Sequence, residues 1–261
     1  GCKNSVIPSD GSVESIGICA FYGCAGLTKI TIPSCITSIE SSAFADCTEL
    51  TGVYITDLAK WCEIEHANAD ANPLFFAHNL YLDNILITEL VIPGTTTKIG
   101  SYAFFGYTEL TKITIPNSVT SIGESAFSGC TGLTNVVVPN SVTGIGQSAF
   151  FGCSNIESIT LPFVGAEKDG AENSSLSYIF GYSYDAAPLK LKSVVVTGGT
   201  KIGRFAFSGY TGLTDIRIPD NVISIGESAF RNCKGLTNLV LPNTVKTIGE
   251  DAFSGCTGFK N

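Results

Sequence analysis

The sequence predicts an α/β solenoid, a right-handed β/α superhelix of about ten coils that is mostly β-strand with short 3₁₀ or helical turns. Three observations support this prediction. The stretch LTNVVVPNSVTGIGQSAFFGC at residues 133–153 repeats the stretch at residues 110–130 with a spacing of 23 residues. Each copy contains a short alternating apolar run that ends at a proline, and each closes with an Ala-Phe pair before a glycine turn. Repeats of roughly 20 to 50 residues are typical of solenoids, in which neighbouring coils bury each other's apolar side chains.

The Ala-Phe pairs count the coils. Neighbouring pairs lie 23 residues apart, except across two gaps of 60 and 57 residues. Each gap has room for one further, irregular unit, centred near Phe75 and near Phe180. The pairs are Ala20-Phe21, Ala43-Phe44, Ala103-Phe104, Ala126-Phe127, Ala149-Phe150, Ala206-Phe207, Ala229-Phe230 and Ala252-Phe253. We therefore expect a single solenoid domain over residues 1–261, with irregular units at about 56–87 and 163–190.

The first half of a regular coil is predicted to be a strand. Its pattern is L-x-x-I-x-I-P, and the alternation places both isoleucines on one face of the strand. The proline ends the strand because it has no N–H for the ladder. The pattern, with some substitutions, occurs at residues 27–33, 110–116, 133–139, 156–162, 213–219 and 236–242.

The second half of a coil is predicted to be a short extended piece, such as residues 119–122, followed by a turn at Gly123. The Glu-Ser-Ala-Phe-Ser-Gly stretch after it fits one helical or 3₁₀ turn. Its phenylalanine is expected to point into the core. Stacked coils then place like residues above like, about 4.8 Å apart along a parallel sheet.

The first irregular unit contains a predicted helix and a predicted hairpin. Asp57 is a good N-cap for a helix over residues 57–65, whose apolar residues are spaced to share one side. Asp83-Asn84 is a plausible two-residue turn between residues 80–82 and 85–92. We interpret this unit as a longer coil that closes the same core, in preference to a dedicated site.

The second irregular unit begins with GAEKDGAENSS at residues 165–175, whose small and charged residues predict a mobile surface loop. Four aromatic residues follow: Tyr178, Phe180, Tyr182 and Tyr184. Phe180 is expected to replace the inward phenylalanine of a regular coil. That leaves the three tyrosines available to contact a partner.

Composition excludes some classes of partner. The chain has 15 Lys and Arg residues against 23 Asp and Glu residues, with a net charge of −8 and a pI near 4.7. Because no basic stripe could neutralise phosphates, nucleic acid is not expected as a partner. No apolar run approaches the roughly 18 residues that cross a bilayer, so membrane insertion is not expected. Both termini lie within repeat patterns, and we expect the sequence to be a fragment of a longer protein.

The pattern L-T-x-I-x-I-P-x-S-V-T-x-I-G-x-x-A-F-x-G-C-T-G resembles the 23-residue leucine-rich repeat of BspA-like bacterial and protist surface proteins, also called the Treponema pallidum type. The resemblance covers essentially the whole chain, and both irregular units resemble degenerate units of such proteins from gut Firmicutes. It implies the leucine-rich-repeat fold in a secreted or wall-attached protein whose repeats bind host proteins, other bacteria or matrix glycoproteins. It implies no catalytic residue and no cofactor. Tyr107 and Tyr210 depart from the pattern, which has cysteine there.

Six of the ten cysteines occupy one coil position: Cys24, Cys47, Cys130, Cys153, Cys233 and Cys256. Side chains stacked in this way lie near 4.8 Å apart, beyond the Cβ separation of about 3.8 Å in a disulfide. Tyr107 and Tyr210 replace cysteine at equivalent positions, which a covalent pair would not allow. We therefore predict buried, reduced thiols that act as small hydrophobic residues. Four other cysteines lie off this row and have no assigned role: Cys2, Cys19, Cys35 and Cys62.

Neither a metal site nor a catalytic site is predicted. Cys62, His66 and His78 suggest zinc, but a closed structural site needs four ligands and the chain has no second cysteine pair at suitable spacing. The two histidines are interpreted as surface or hairpin-packing residues. No motif of an activated nucleophile accompanies them. A glycan hydrolase would need paired carboxylates about 5 to 10 Å apart in a cleft, whereas stacked coils produce ladders.

The outward side of the first strand is the candidate binding surface. Its central residues form a stripe of mostly small β-branched side chains, suited to a flat protein-docking sheet. They are Thr31, Tyr54, Val91, Thr114, Val137, Thr160, Val195, Arg217 and Val240. The β-propensity of these residue types explains most of this stripe, and it explains Tyr54 and Arg217 least. Tyrosine and arginine are enriched at binding hot spots.

We therefore expect a non-catalytic binding and adhesion module of a bacterial cell-surface or secreted protein. Its partner would be a host matrix protein, a glycoprotein or another bacterial surface protein. The expected contact residues are Tyr54, Arg217, Tyr178, Tyr182 and Tyr184. The alternative is a structural spacer that holds another domain away from the cell wall and binds no partner of its own.

Overall fold

The computed structural model describes residues 6–170, 172–181 and 188–259. Over these ranges the chain is a mostly-β solenoid of about ten turns with few short helices, which confirms the predicted fold class. The strands are β1 (Ser15–Ile16), β2 (Lys29–Ile32), β3 (Ser38–Ile39), β4 (Gly52–Ile55), β5 (Glu65–His66), β6 (Leu80–Leu82), β7 (Ile85–Leu86), β8 (Glu89–Val91), β9 (Lys98–Ile99), β10 (Lys112–Thr114), β11 (Ser121–Ile122), β12 (Asn135–Val137), β13 (Gly144–Ile145), β14 (Ser158–Leu161), β15 (Ser193–Val196), β16 (Lys201–Ile202), β17 (Asp215–Arg217), β18 (Ser224–Ile225) and β19 (Thr247–Ile248). The helices are α1 (Leu58–Glu63), α2 (Leu74–Ala77) and α3 (Leu176–Phe180), with a 3₁₀ turn at Ala69–Ala71.

The alternating apolar pattern forms the front of the solenoid, and we call β2, β4, β6, β8, β10, β12, β14, β15 and β17 the front strands. They pair in parallel, in the groups β2-β4-β6, β8-β10 and β12-β14-β15-β17. The register aligns equivalent residues, as for Ile30 with Val53. Ile30 and Ile32 are both buried, while the residues between and before them are exposed, as the alternation predicts.

The last predicted front strand differs from expectation. Residues 236–242 form no strand pairing with β17. Leu239 and Leu241 are only half-buried, so less apolar burial holds this segment against the neighbouring coil. Val240 is 76% exposed and lies beside an open groove.

The second extended pieces form the side of the solenoid. Their strands pair in parallel in the groups β1-β3-β5, β9-β11-β13 and β16-β18-β19. Each strand is two residues long, and its second residue is buried, as Ile39 and Ile122 are, except in the last strand β19, where Ile248 is 55% exposed. The predicted second extended piece is therefore confirmed.

The turn that carries the inward phenylalanine is not helical. Residues 124–129 form consecutive turns, because Ser125 has a left-handed φ of 50°, which a right-handed helix does not allow. The turn directs its amides along the solenoid, and the Phe127 amide donates to the Ala149 carbonyl of the next coil at 2.8 Å. The rings of Phe104, Phe127 and Phe150 stack with centroids 5.3 Å apart at each step. The prediction of an inward phenylalanine is confirmed.

The first irregular unit closes the same core with different residues. Helix α1 begins after Asp57, whose carboxylate accepts from the Lys60 amide at 3.0 Å, as predicted. Leu74 enters the core from α2 and is fully buried. Phe75, near the expected centre of the unit, is half-buried and packs edge-on against Phe105 at 5.2 Å.

Two buried side chains join this unit to the next coil. In regular coils the alanine carbonyl before the inward phenylalanine accepts an amide from the preceding coil. Here Trp61 Nε1 donates to the Ala103 carbonyl at 3.1 Å, and Asn72 Nδ2 donates to the same oxygen at 3.1 Å. Asn72 Nδ2 also donates to the Tyr102 carbonyl at 2.6 Å. In this unit the side chains of Trp61 and Asn72 thus replace the backbone amide that donates to the alanine carbonyl in regular coils.

The predicted hairpin is present, with a shorter second arm. Asp83 and Asn84 have φ values of 50° and 67°, the left-handed pair required by a type I′ turn. The turn joins β6 to β7 in antiparallel pairing. The arm expected over residues 85–92 ends at Leu86, because β8 starts a new coil and pairs with β10. Strand β7 therefore lies beside β6 and separates it from β8.

The second irregular unit begins with a loop that is tied down, contrary to the expected mobile loop. The Ile145 amide donates to the Ala166 carbonyl at 2.8 Å. Asp169 Oδ1 accepts from the amides of Thr200 at 2.7 Å and Lys201 at 3.0 Å. These bonds hold the loop against coils on both sides. Phe180 is fully buried on α3, as predicted.

Both coils that follow an irregular unit carry tyrosine in the cysteine row. The hydroxyl of buried Tyr107 donates to the Ile87 carbonyl in the hairpin connection. Tyr210 is buried in the coil after α3. A regular cysteine packs on the preceding turn, whereas α2 and α3 replace that turn here, and the larger phenol fills the altered space.

Candidate binding face

The outward side chains of the front strands form a surface that we call the front face. Strand register brings Thr31 beside Tyr54, and Thr160 beside Val195 and then Arg217. The predicted stripe is therefore present, although the hairpin divides it. Its exposed valines include Val91 at 65% and Val137 at 60%. Both valines lie on the part of the front face that follows the hairpin.

The most distinctive group on the front face is a stacked tyrosine pair. Tyr54 and Tyr81 are register partners on β4 and β6, with ring centroids 4.6 Å apart and ring planes 8° apart. Both rings lean over Gly52. A Cβ at Gly52 would lie 3.1 Å from Tyr54 Cε2 and 3.2 Å from Tyr81 Cε2. The absence of a side chain at Gly52 thus makes room for the pair. On the other side of Tyr81, its register partner on β7 is Leu86.

Tyr81 was missed by sequence reasoning although its signal was present. Leu80-Tyr81-Leu82 has the same alternation as a regular front strand, but it lies inside the irregular unit and before a hairpin turn. Leu80 is fully buried and replaces the first inward isoleucine. Aligning Leu80 with Val53 would have placed Tyr81 next to Tyr54.

Arg217 lies at the other end of the front face. Its Nε is 3.5 Å from Asp215 Oδ2, and Ser193 donates a hydrogen bond to the same carboxylate oxygen at 3.0 Å. A groove of about 350 Å³ opens beside it, between β17 and the unpaired segment that holds Asn238 and Val240. The arginine is 73% exposed, so the ion pair leaves much of the side chain accessible.

Tyr54 and Arg217 are not neighbours. Six front strands lie between β4 and β17, namely β6, β8, β10, β12, β14 and β15. At about 4.8 Å for each step, the two residues are roughly 35 Å apart. They can contact one partner only if its interface covers most of the front face.

Of the three candidate tyrosines of the second irregular unit, only Tyr178 lies within the described residues. Tyr178 is half-buried on α3 and packs against the core, with its carbonyl accepting from the Ser148 amide at 2.8 Å. It lies on the turn side of the coil, away from the front strands. Tyr182 and Tyr184 fall outside the described residues.

Five of the six cysteines in the row are buried, as predicted, and Cys256 in the last coil is half-buried. The cysteines of the described ranges form no disulfide. Cys130 Sγ donates to the Phe104 carbonyl at 3.2 Å, and Cys153 Sγ donates to the Phe127 carbonyl at 3.0 Å. Burial raises the pKa of the Cys153 thiol to about 12, so the reactive thiolate is suppressed.

The two histidines have different environments. His66 is buried at the inward position of β5, where Ile39 stands in the paired strand β3, and neither ring nitrogen has a hydrogen-bond partner among the described residues. The interpretation of both histidines as surface or hairpin residues is therefore wrong for His66. Burial lowers its pKa to about 4. His78 is exposed, and its Nδ1 lies 2.9 Å from the Gly106 carbonyl.

In residues 6–170, 172–181 and 188–259, no three His, Cys, Asp or Glu side chains come together as a metal site. The equivalent glutamates Glu124 and Glu227 have other partners. Tyr102 donates to Glu124 at 2.9 Å, and Arg204 pairs with Glu227 at 2.7 Å. Within the same ranges, no helix has the length and apolar character to span a bilayer.

Comparisons with known proteins agree with the geometry. The family model described as a BspA type leucine rich repeat region matches residues 1–65, 77–179 and 177–261. A leucine-rich repeat protein from Eubacterium ventriosum is 22% identical and has a TM-score of 0.52, with 92% of this chain and 80% of that chain covered. A leucine rich cell surface protein from Faecalibacterium prausnitzii is 25% identical, with a TM-score of 0.41 and coverage of 96% and 76%. No curated protein matches the sequence.

Proposed function

Because the chain belongs to the BspA-type leucine-rich repeat family, we propose that it is a non-catalytic protein-binding module that acts through its front face. The observation that carries this proposal is the stacked pair of Tyr54 and Tyr81 on an outward sheet surface. The partner would be a host matrix protein, a glycoprotein or another bacterial surface protein. The module would act by adhesion, without a cofactor.

The position of the tyrosine pair supports a binding role. Val53 and Ile55 flank Tyr54 and are buried in the core, so the strand that presents the ring is rigid. Stacking also fixes each ring before a partner arrives. Tyrosine offers a large contact area at low entropic cost, and a preordered surface loses less freedom on binding.

Arg217 provides a second proposed anchor. Its guanidinium can donate to a partner carboxylate while Asp215 holds the side chain in place. A standard protein interface covers about 800 Å² on each partner, or roughly 30 Å across. An interface of that size would nearly span both anchors, so the partner would be a folded protein surface rather than a short peptide.

We place the module at the cell surface or outside the cell, either wall-attached or secreted. Membership of the family supports this location, and the similar Faecalibacterium prausnitzii protein is described as a cell surface protein. Tyr178 is proposed as a peripheral contact at most, because it is half-buried on the turn side. Tyr182 and Tyr184 remain proposed contacts in the same segment.

The test is a binding screen on the purified chain against isolated matrix glycoproteins and bacterial surface proteins, with biolayer interferometry as the readout. Replacing Tyr54 and Arg217 together with Ala should weaken binding of a captured partner by at least about 30-fold, as expected for hot-spot residues. The matched control is Thr160→Ala, which alters the same stripe without removing an anchor. The melting temperatures of all variants should agree within a few degrees.

Two results would contradict the proposal. Unchanged affinity in the double variant would remove the front face from the interface. The spacer function would instead be favoured by two observations together. The chain would bind nothing in the screen, and two domains fused to its ends would be held apart by its full length.

A further inference from the structure

The charge of the chain is distributed very unevenly. Residues 186–261 contain nine of the 15 Lys and Arg residues and five of the 23 Asp and Glu residues. This segment therefore carries a net charge of +4, while residues 1–185 carry −12. A locally positive region on an acidic protein attracts anionic ligands.

Two of these nine basic residues line one hollow. It has a volume of about 500 Å³ and lies between the turns of two consecutive coils, at residues 205–211 and 231–234. Phe205, Ser208 and Thr211 line it from one coil, and Arg231 and Lys234 line it from the next. Among the described residues, no carboxylate lines the hollow. A volume of this size is within the range of small-molecule sites.

The two cations in the hollow differ from the other arginines of the segment. Arg204 pairs with Glu227 and Arg217 pairs with Asp215. Among the described residues, Arg231 and Lys234 have no ion pair, and both are exposed. Their positive charge is therefore available to a ligand.

The repeat itself shows that these cations are not required by the fold. The position of Arg231 is serine in neighbouring coils, at Ser208 and Ser254. The position of Lys234 is threonine in five other coils: Thr48, Thr108, Thr131, Thr211 and Thr257. Other coils have an aromatic residue or alanine at the Arg231 position, as at Phe105, Phe151 and Ala45, and none has a basic residue at either position. The cations therefore add a property that stacking does not need.

Phe205 is the second unusual feature of the hollow. Its left-handed φ of 55° is shared by the equivalent residues of other coils, such as Tyr102 at 59°, but its large apolar ring is 39% exposed. Equivalent coils place serine at this position, as at Ser125, Ser148 and Ser228. Arg204 lies 4.6 Å from the ring centroid and holds the ring by a cation–π contact.

We propose that this hollow binds an acidic glycan. Arg231 and Lys234 would bind a sulfate or carboxylate group, for which arginine offers a bidentate donor pair. Phe205 would pack against the apolar face of a sugar ring, and Ser208 and Thr211 would hydrogen-bond its hydroxyl groups. The combination of cations, an aromatic ring and hydroxyls fits a charged sugar better than an acidic peptide, which would need no aromatic platform. This site is separate from the front face and does not depend on the function proposed there.

The experiment uses isothermal titration calorimetry on the full 261-residue chain with four probes. They are a heparin hexasaccharide, a hyaluronan hexasaccharide, a neutral maltohexaose and a hexaglutamate peptide. The variants restore the repeat residue at each position: Arg231→Ser with Lys234→Thr as a pair, and Phe205→Ser alone. Lys112→Thr is the matched control for loss of an exposed lysine outside the hollow.

The wild-type chain is expected to bind an anionic hexasaccharide and to ignore the neutral one. The paired variant should weaken this binding at least tenfold, and Phe205→Ser should weaken it about fivefold without changing the affinity for hexaglutamate. Lys112→Thr and the Tyr54 and Arg217 double variant should bind as the wild type does. Heparin alone would identify sulfate as the recognised group, and hyaluronan binding would identify carboxylate.

Three outcomes would overturn the proposal. One is that neither anionic hexasaccharide binds. Another is that the paired variant binds as the wild type does. The third is a combination of two results: hexaglutamate binds as tightly as the glycan, and Phe205→Ser leaves the glycan affinity unchanged. Together they would reveal a general anion patch instead of a glycan site.

Discussion

The thiol of Cys153 lies 3.0 Å from the carbonyl oxygen of Phe127 in the preceding coil. The same contact recurs one coil earlier, between Cys130 and Phe104 at 3.2 Å. Each cysteine thus contacts the turn that holds the preceding phenylalanine. The row joins coils by weak hydrogen bonds and packing, with no covalent bond.

The thiols should therefore react at very different rates. Cys19 is exposed, whereas Cys130 and Cys153 are fully buried and burial raises the pKa of both. Brief treatment of the native chain with iodoacetamide at pH 8, followed by peptide mass spectrometry, should label Cys19 and leave the two buried thiols unlabelled. Both should be labelled after unfolding in guanidinium chloride. Equal labelling in the native state would mean that the row is accessible.

Removal of the Asn72 amide should be costly. Its side chain donates to the carbonyls of Tyr102 and Ala103 and accepts from the Leu74 amide at 2.8 Å. Asn72→Ala leaves these buried groups unpaired and should lower the free energy of unfolding by about 2 to 4 kcal/mol in a urea titration followed by circular dichroism.

Asn155 supplies the matched control for Asn72. It is half-buried and donates once, to the Thr131 carbonyl at 2.8 Å. Asn155→Ala should cost no more than about 1 kcal/mol. Equal costs for the two variants would show that the irregular unit does not depend on side-chain donors.

His66 should make stability depend on pH. Its pKa is about 4 in the folded chain because burial disfavours the charged ring, and near 6.5 in the unfolded chain. The unfolded state therefore binds the proton first, and stability falls as pH drops from about 6.5 to 4, by up to ~3 kcal/mol. His66→Ile restores the repeat residue and should remove this part of the dependence. Parallel stability curves for the two proteins across this pH range would contradict the assignment.

Tyrosine in the cysteine row should stabilise the chain only in a coil that follows an irregular unit, such as the coil that contains Tyr107. Tyr107→Cys restores the repeat residue but removes a buried ring and its bond to the Ile87 carbonyl, and should cost about 2 to 4 kcal/mol. The reciprocal change Cys130→Tyr should also destabilise, because a regular coil has no space for a ring. Thermal unfolding measures both. Tolerance of Tyr107→Cys within about 0.5 kcal/mol would show that the residue is not matched to the irregular unit.

The regular coils were predictable because their information is local. The alternation in residues 133–139 determines which side chains of β12 are buried, and the repeat determines its neighbours. The helix after Asp57 and the turn at Asp83-Asn84 were predictable for the same reason. Short-range preferences decide each of these elements.

The remaining features depend on contacts between distant residues. The position of His66 follows from pairing of β5 with β3, and the bonds of Trp61 follow from a coil 42 residues later. The candidate site was half predicted: Tyr54 was identified, but its partner Tyr81 depends on the register of β6. The separation of Tyr54 from Arg217 likewise required the order of the strands.

Hydrogen–deuterium exchange on the chain, alone and with a captured protein partner, tests the central claim most directly. Binding through the front face should slow exchange in peptides that contain β4, β6 and β17, and leave the turns at residues 124–129 unchanged. Protection confined to the turns, with the front strands exchanging as they do in the free chain, would contradict the account.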